Sequence, residues 1–392
     1  NGWPADKTPT LTDELEGDLK KLMGRLPRSS GRLLITLARD WGSKEIEQYA
    51  RQVSESLLSQ IDDDKLDIAQ RERAALQLVE FRSRDDDVVV ELLDRITPQS
   101  DPAFALAIVH AMTASESPSV GPLMVQRLDN LTPSTRIACI SILLRRPEST
   151  QALLTAINKG GVLLSELSLD QKQALMTHPS EDIVRLARRL LNRGGALPSA
   201  DRQAVLKGMM SATTQTGDVK LGQAVYKKNC ANCHVHGGEG QRVGPDLTGM
   251  AVHPKAELLA HILDPSRDVE GNFRVYSVLT HDGVAISGLL ASESKTAIEM
   301  FDVEGKKRIV LREDIEQLRA STKSLMPEGF EKQIPQADMI HLLEFLTARG
   351  QFLPIDMSKV GTVASDRGMF INKNADVERL IFPDWSPKTF KK

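Results

Sequence analysis

Cys230-Ala231-Asn232-Cys233-His234 sets two thiols three residues apart and an imidazole directly after the second. Two thiols so spaced can add to the two vinyl groups of one haem, and the adjacent imidazole can bind its iron. With three cysteines and eight histidines in 392 residues, chance gives this pattern roughly once in two thousand such chains. Two other chemistries use cysteines at this spacing, a thioredoxin-like dithiol and half of a zinc site. A dithiol enzyme would place a strand before the motif and open a helix at the first cysteine. Here a helical stretch, 218–229, with Leu221, Val225 and Tyr226 on one face, closes onto it instead. A zinc site would need a second ligand pair, yet the third cysteine, Cys139, lies alone far upstream. The expected cofactor is one covalent haem c per chain, on Cys230, Cys233 and His234.

Downstream, Gly237-Gly238-Glu239-Gly240 and Gly244-Pro245-Asp246-Leu247-Thr248-Gly249 form a loop whose backbone can approach a porphyrin, although a flexible loop would explain the glycines equally well. A ligating histidine is usually oriented through its other ring nitrogen, and the Pro245 carbonyl is the candidate acceptor. Arg242 is a candidate partner for a haem propionate, with a solvated surface arginine as the plain alternative. A low-spin centre needs a second axial ligand. Ser324-Leu325-Met326-Pro327-Glu328-Gly329 presents Met326 in a Pro- and Gly-shaped loop just before the last helical stretch. The competing reading makes Met326 a core filler. Met250, Met300 and Met339 fit packing roles better, and His236, His253 and His261 read as surface or cap residues.

The surrounding pattern gives 253–263 and 336–348 as helices, the latter with Met339, Leu342, Leu343 and Leu346 inward. Two hairpins are expected between them in an insertion at about 274–311. The first joins 274–281 to 284–291 across Asp282-Gly283, and the second joins 296–303 to 306–311 across Glu304-Gly305. Upstream, 11–207 is helical throughout, with no stretch reading as strand. Segments 71–82, 102–112, 133–145 and 169–176 start at intervals of roughly 30 to 36 residues, each followed by a second amphipathic segment (88–96, 120–128, 149–157, 183–191). That period suits a HEAT- or armadillo-like α-solenoid, with an irregular helical bundle as the alternative. The expected division is 1–200 helical repeats, 201–217 linker, 218–350 haem-binding domain and 351–392 the opening of a further, truncated module.

Composition narrows the function. A net charge of -3 with mixed signs leaves no basic stripe for nucleic acid. No apolar run reaches the length of a membrane span. The start at Asn1, without an initiating Met, reads as processed or cut.

Taken together, Gly222, Tyr226, the Cys230 to His234 motif, Gly244 to Gly249, Ile262-Leu263-Asp264-Pro265-Ser266, Asp282-Gly283, Ser287-Gly288-Leu289-Leu290 and Ser324 to Gly329 resemble the haem-binding cytochrome c domain of multidomain exported planctomycete and verrucomicrobial proteins. The resemblance covers about 218–349. It implies a class I-like cytochrome c fold, thioethers at Cys230 and Cys233, axial ligation by His234 and Met326, and an electron-transfer role. It also implies a periplasmic or cell-surface location, and a redox partner protein or dehydrogenase domain for which the haem would be the electron acceptor. In that family the haem domain commonly follows helical repeats, and these often follow a β-propeller, of which no sequence is present here. The whole is expected to be mainly α: an N-terminal solenoid whose surface offers room for a protein partner, then a cytochrome c-like domain with a β-hairpin insertion. The chain is expected to be a piece of a larger protein. Two other functions remain open at this point. One is a haem-based ligand sensor or peroxidase-like enzyme with an open sixth position, and the other is a structural interaction scaffold.

Overall fold

The computed structural model describes residues 10–26, 28–193 and 199–348. The further module expected at 351–392 therefore lies outside the described residues. Among the described residues eleven α-helices come first: α1 (Asp13–Met23), α2 (Arg28–Asp40), α3 (Lys44–Asp62), α4 (Ile68–Phe81), α5 (Asp86–Leu93), α6 (Pro102–Ala111), α7 (Val120–Arg127), α8 (Pro133–Leu143), α9 (Pro147–Lys159), α10 (Leu169–Met176) and α11 (Glu181–Arg193). Local chemistry fixes their ends. Asp67 with Gln70 and Ser168 with Gln171 form capping boxes, Pro102, Pro133 and Pro147 occupy first turns, and Gly160 closes α9 at φ 80°.

The helices pack in two layers. In one, α4 lies against α6 and α6 against α8; in the other, α5 lies against α7, α7 against α9 and α9 against α11. A continuous apolar core runs between them from Leu57 to Leu190 and includes Ile61, Leu78, Leu92, Ile108, Leu143 and Leu154. Polar links recur at the spacing of the sequence pattern. Arg95 grips Asp62 with two hydrogen bonds of 2.9 and 3.0 Å, Arg127 pairs with Asp94, and Arg193 donates to Asn158 at 3.3 Å. Such half-exposed links contribute about 0 to 1 kcal/mol each, so the buried core holds the stack while the links fix its register.

Where a linker is expected, Ser199 caps a further helix, α12 (Ala200–Met209), by accepting from the Arg202 N–H. The helices α13 (Val219–Asn229), α14 (Lys255–Leu263), α15 (Phe330–Gln333) and α16 (Gln336–Thr347) follow, with a two-stranded ribbon of β1 (Val235–His236) and β2 (Glu239–Gly240).

The β region is larger than two hairpins. Strands β3 (Arg274–Thr280), β4 (Ala285–Glu293), β5 (Ala297–Phe301), β6 (Lys307–Leu311) and β7 (Ile315–Ser324) form one antiparallel sheet in the order β6-β5-β4-β3-β7. Both expected turns are present, with Gly283 at φ 81° and Gly305 at φ 74°. The strand missed by periodicity is β7, which buries only Ile315, Leu318 and Ala320 and pairs with β3 through two register shifts. Those irregularities break the alternation that would have revealed it.

The chain divides into two compact units, Asn1–Met210 with Leu259–Gln333, and Ser211–Leu258 with Ile334–Lys392. The sheet therefore packs with the helical layers, whereas the sequence pattern suggested an insertion carried by the haem-binding segment. Arg312 donates to the Pro98 carbonyl at 2.8 Å, Ser165 to the Val269 carbonyl at 2.6 Å and Ser134 to Glu293 at 2.5 Å. Among the described residues no helix is long and apolar enough to cross a membrane.

Candidate haem-binding site

The second unit is built on the crossing of α13 and α16. Asp218 starts α13 by accepting from the backbone N–H groups of Lys220 and Leu221 at 2.8 and 3.0 Å, and its own N–H donates to His341 Nδ1 at 2.9 Å. One turn on, a Cβ added to Gly222 would stand 2.0 Å from the His341 carbonyl oxygen and 2.7 Å from Phe345 Cβ. Glycine here lets two helix backbones meet. The buried face of α13 is accordingly Gly222 and Tyr226. Leu221, expected on that face, is instead 53% exposed, because the crossing is centred one residue further along.

At the end of α13 the chain keeps a helical turn through the motif: Cys230 N–H donates to the Tyr226 carbonyl, and the N–H groups of Cys233 and His234 both donate to the Cys230 carbonyl. Cys230 and Cys233 form no disulfide with one another. Burial pushes the Cys230 thiol up to about 12, with a smaller push from Cys233, and burial also raises Cys233. The loop after β2 folds back over the motif. Gln241 N–H donates to the Ala231 carbonyl at 2.9 Å, and those of Val243 and Gly244 to the Cys233 carbonyl at 3.0 and 2.7 Å. Fully buried Tyr226 ties this turn down, its hydroxyl lying 2.6 Å from the His234 carbonyl and 3.0 Å from that of Glu239. Gly240, at φ 109°, packs so closely that a Cβ would lie 2.0 Å from the His234 carbonyl oxygen.

His234 itself is half-buried. Its Nδ1 lies 2.8 Å from the Pro245 carbonyl oxygen, and a Cβ on Gly244 would come within 2.6 Å of its Cε1. A carbonyl can only accept, so this bond sets the proton on Nδ1 and leaves the lone pair on Nε2. Burial holds the imidazole below its ordinary pKa, opposed by the bond to Pro245. The ring is therefore oriented and clamped between a backbone acceptor and a glycine.

The remaining candidates fall elsewhere. The Arg242 side chain is 82% exposed, 3.8 Å from Asp246. Met326 belongs to the other compact unit, where it is half-buried and its N–H donates to Ser324 Oγ at 3.1 Å. Met300 and Met339 are fully buried, in the sheet core and on the inner face of α16. His253 lies 3.0 Å from Glu257, and His261 is exposed on α14. His236 departs from its expected surface position: it is 2% exposed, its ring 4.6 Å from Phe345 and 5.7 Å from Tyr226. The short β1-β2 ribbon turns this residue inward, which a two-residue strand cannot announce by periodicity. Sequence reasoning also passed over Gly244 as a contact of the ligand ring and His341 as the acceptor for the start of α13. The repeated Gly-Pro and Gly signals marked loops without saying what they touch.

The donor set fits a c-type haem. Two thiols and one imidazole lie on a single turn, the imidazole presents an unprotonated Nε2, and the backbone around it is held by Tyr226, Gly240 and Gly244. A search of curated proteins found no match to the chain. Residues 217–271 match the family described as cytochrome C oxidase, cbb3-type, subunit III. The matched stretch contains the whole motif and the Pro245 loop and stops before the sheet. Residues 217–271 thus carry the signature of a c-type haem cytochrome domain, and with it a covalently bound haem c.

Proposed function

We propose that this chain is an electron-transfer module of an exported protein, in which Cys230 and Cys233 would hold a haem through thioethers and His234 and Met326 would be its iron ligands. The observation that carries the reading is the His234 hydrogen bond to the Pro245 carbonyl, which fixes the tautomer and orientation an iron-binding imidazole needs. A haem bound there supplies one-electron exchange at its iron. The surrounding residues position it: Gly244 and Pro245 lock the imidazole, and Tyr226 holds the motif backbone. The α13–α16 crossing gives that arrangement a rigid base. No acid, base or nucleophile is assigned.

The helical layers act as a scaffold of the solenoid type, a reading supported by the same-layer stacking of alternate helices and by polar links that recur about every 33 residues. Its exposed surface is the place for a protein partner, a dehydrogenase domain or another redox protein. Export to the periplasm or cell surface follows from the ordinary location of c-type cytochrome domains.

Extraction of denatured protein with acidified organic solvent tests the covalent haem: the pigment should stay with the polypeptide and leave it when Cys230 and Cys233 are both changed to Ala. Met326→Ala should abolish the near-infrared band of thioether-to-ferric-iron ligation and open the iron to added ligands. A second reading, a sensor or peroxidase-like centre with an open sixth position, draws support from one observation: Met326 belongs to a different compact unit from the motif. Absence of the near-infrared band in the unaltered protein would favour it.

A further inference from the structure

The helical unit contains a group of charges that the haem chemistry does not use. Arg136 of α8 is 3% exposed, and its Nε and Nη2 both donate to Glu166, which ends the 3-10 turn Leu164–Glu166. Arg274, the first residue of β3, is 1% exposed and donates from Nη2 to Glu166 Oε1 at 2.7 Å. The same oxygen accepts the Leu163 N–H at 2.7 Å. One carboxylate thus serves two buried guanidinium groups. Among the described residues the other acid paired with them, Asp129, is half-exposed and lies 3.3 Å from Arg136.

Arg274 is left short of partners. Its Nε and Nη1 are fully buried and make no hydrogen bond, and neither does the buried hydroxyl of Tyr276, two residues along on the same face of β3. A guanidinium keeps its proton in a protein, so the charge of Arg274, whose carboxylate partner Glu166 is shared with Arg136, cannot be relieved by titration. The unfilled positions on the guanidinium are all donors. A water molecule there would accept from them but would need acceptors for its own hydrogens, and Glu166 Oε1, the oxygen bonded to Arg274, already takes three donors. An anion that only accepts satisfies the open donors and sets a second buried negative charge beside the two buried guanidinium groups.

We propose that Arg274, with Tyr276 as a second donor, forms a buried site for one small inorganic anion of the halide class, locking the first strand of the sheet to α8 and the Leu164–Glu166 turn. The enclosure favours a monatomic anion over a larger oxyanion, since both donor side chains are 99% removed from solvent. Chloride is the probe. The site depends on buried groups of the helical unit and is independent of the haem reading.

The test uses the full chain, melted by far-ultraviolet circular dichroism while chloride replaces gluconate at constant ionic strength. The midpoint should rise saturably, by about 5 to 10 °C at one hundred times the dissociation constant. Arg274→Met, which removes the guanidinium with the open donors, should melt at a chloride-independent temperature, and Tyr276→Phe should move half-saturation to higher chloride. A second measurement does not depend on any variant folding: the chlorine-35 linewidth of unaltered protein should exceed that of buffer and return to it as bromide is added. A midpoint indifferent to chloride together with a linewidth equal to buffer overturns the proposal, as does an unchanged chloride response in folded Arg274→Met.

Discussion

Changing Gly222 to Ala adds one methyl group at the tightest point of the haem-binding unit. Its Cβ would sit 2.0 Å from the His341 carbonyl oxygen and 2.7 Å from Phe345 Cβ. The obstacle is backbone, which no rotamer change can move aside, so the helices must separate by about 1 Å to reach a tolerable contact. A gap of that size forfeits a quarter to a half of the dispersion attraction across the crossing, where Tyr226 and Phe345 pack with ring centroids 5.4 Å apart. Against backbone that cannot yield, overpacking costs about 2 to 3 kcal/mol, and the better helix propensity of Ala returns about 1, leaving a net loss of about 1 to 2 kcal/mol. Hydrogen exchange of the α13 amides reads this locally, and their protection should fall roughly 5- to 30-fold. Gly208→Ala in α12 is the control: nothing lies within 4 Å of its added methyl, so protection there should hold or rise. Unchanged or increased protection of α13 in Gly222→Ala would refute the reasoning.

Other changes probe different parts of the chain. Gly244→Ala would drive a methyl into the His234 ring and break its bond to Pro245, so the fraction of protein with a low-spin haem spectrum should drop about 10-fold or more; an unaltered spectrum would show that the clamp is not needed. Arg312→Met would leave Glu293 and the carbonyls of Ser294 and Pro98 without their shared donor, costing about 3 to 5 kcal/mol in a denaturant melt of the helical unit, and an unshifted midpoint would disprove this. The Asp218 carboxyl is held below its ordinary range by the Leu221 and Lys220 N–H groups, so its contribution is present above pH about 4 and disappears as the pH falls through the lower folded value. Asp218→Asn keeps the cap and should flatten the decline in α13 protection below about pH 4; equal acid slopes in both proteins would count against it.

The features readable in advance are those written in short stretches of chain. The paired helices of the N-terminal region follow from three- and four-residue apolar spacing together with caps such as Asp67 and Ser168, and the hairpin at Asp282-Gly283 follows from a dipeptide that tolerates positive φ. The Cys230 to His234 chemistry is local by nature, since one turn of chain supplies all three donors. Readings failed where the deciding partner is distant. Strand β7 has too little alternation to stand without β3, Leu221 is exposed because α16 crosses at Gly222, and His236 is buried because Phe345 lies beside it.

The sequence by itself therefore determined the chemistry of the haem motif, the helical layers and the turns, because each depends on neighbours within a few residues. Only the tertiary structure decided that the sheet packs with the helices, that Gly244 and Gly240 press on His234, and that Arg136, Glu166 and Arg274 meet in the interior. The first and last of those outcomes depend on groups 30 to 214 residues apart and the glycine contacts on how one loop closes over the motif, and local propensity carries no record of which surface will exclude the water between them.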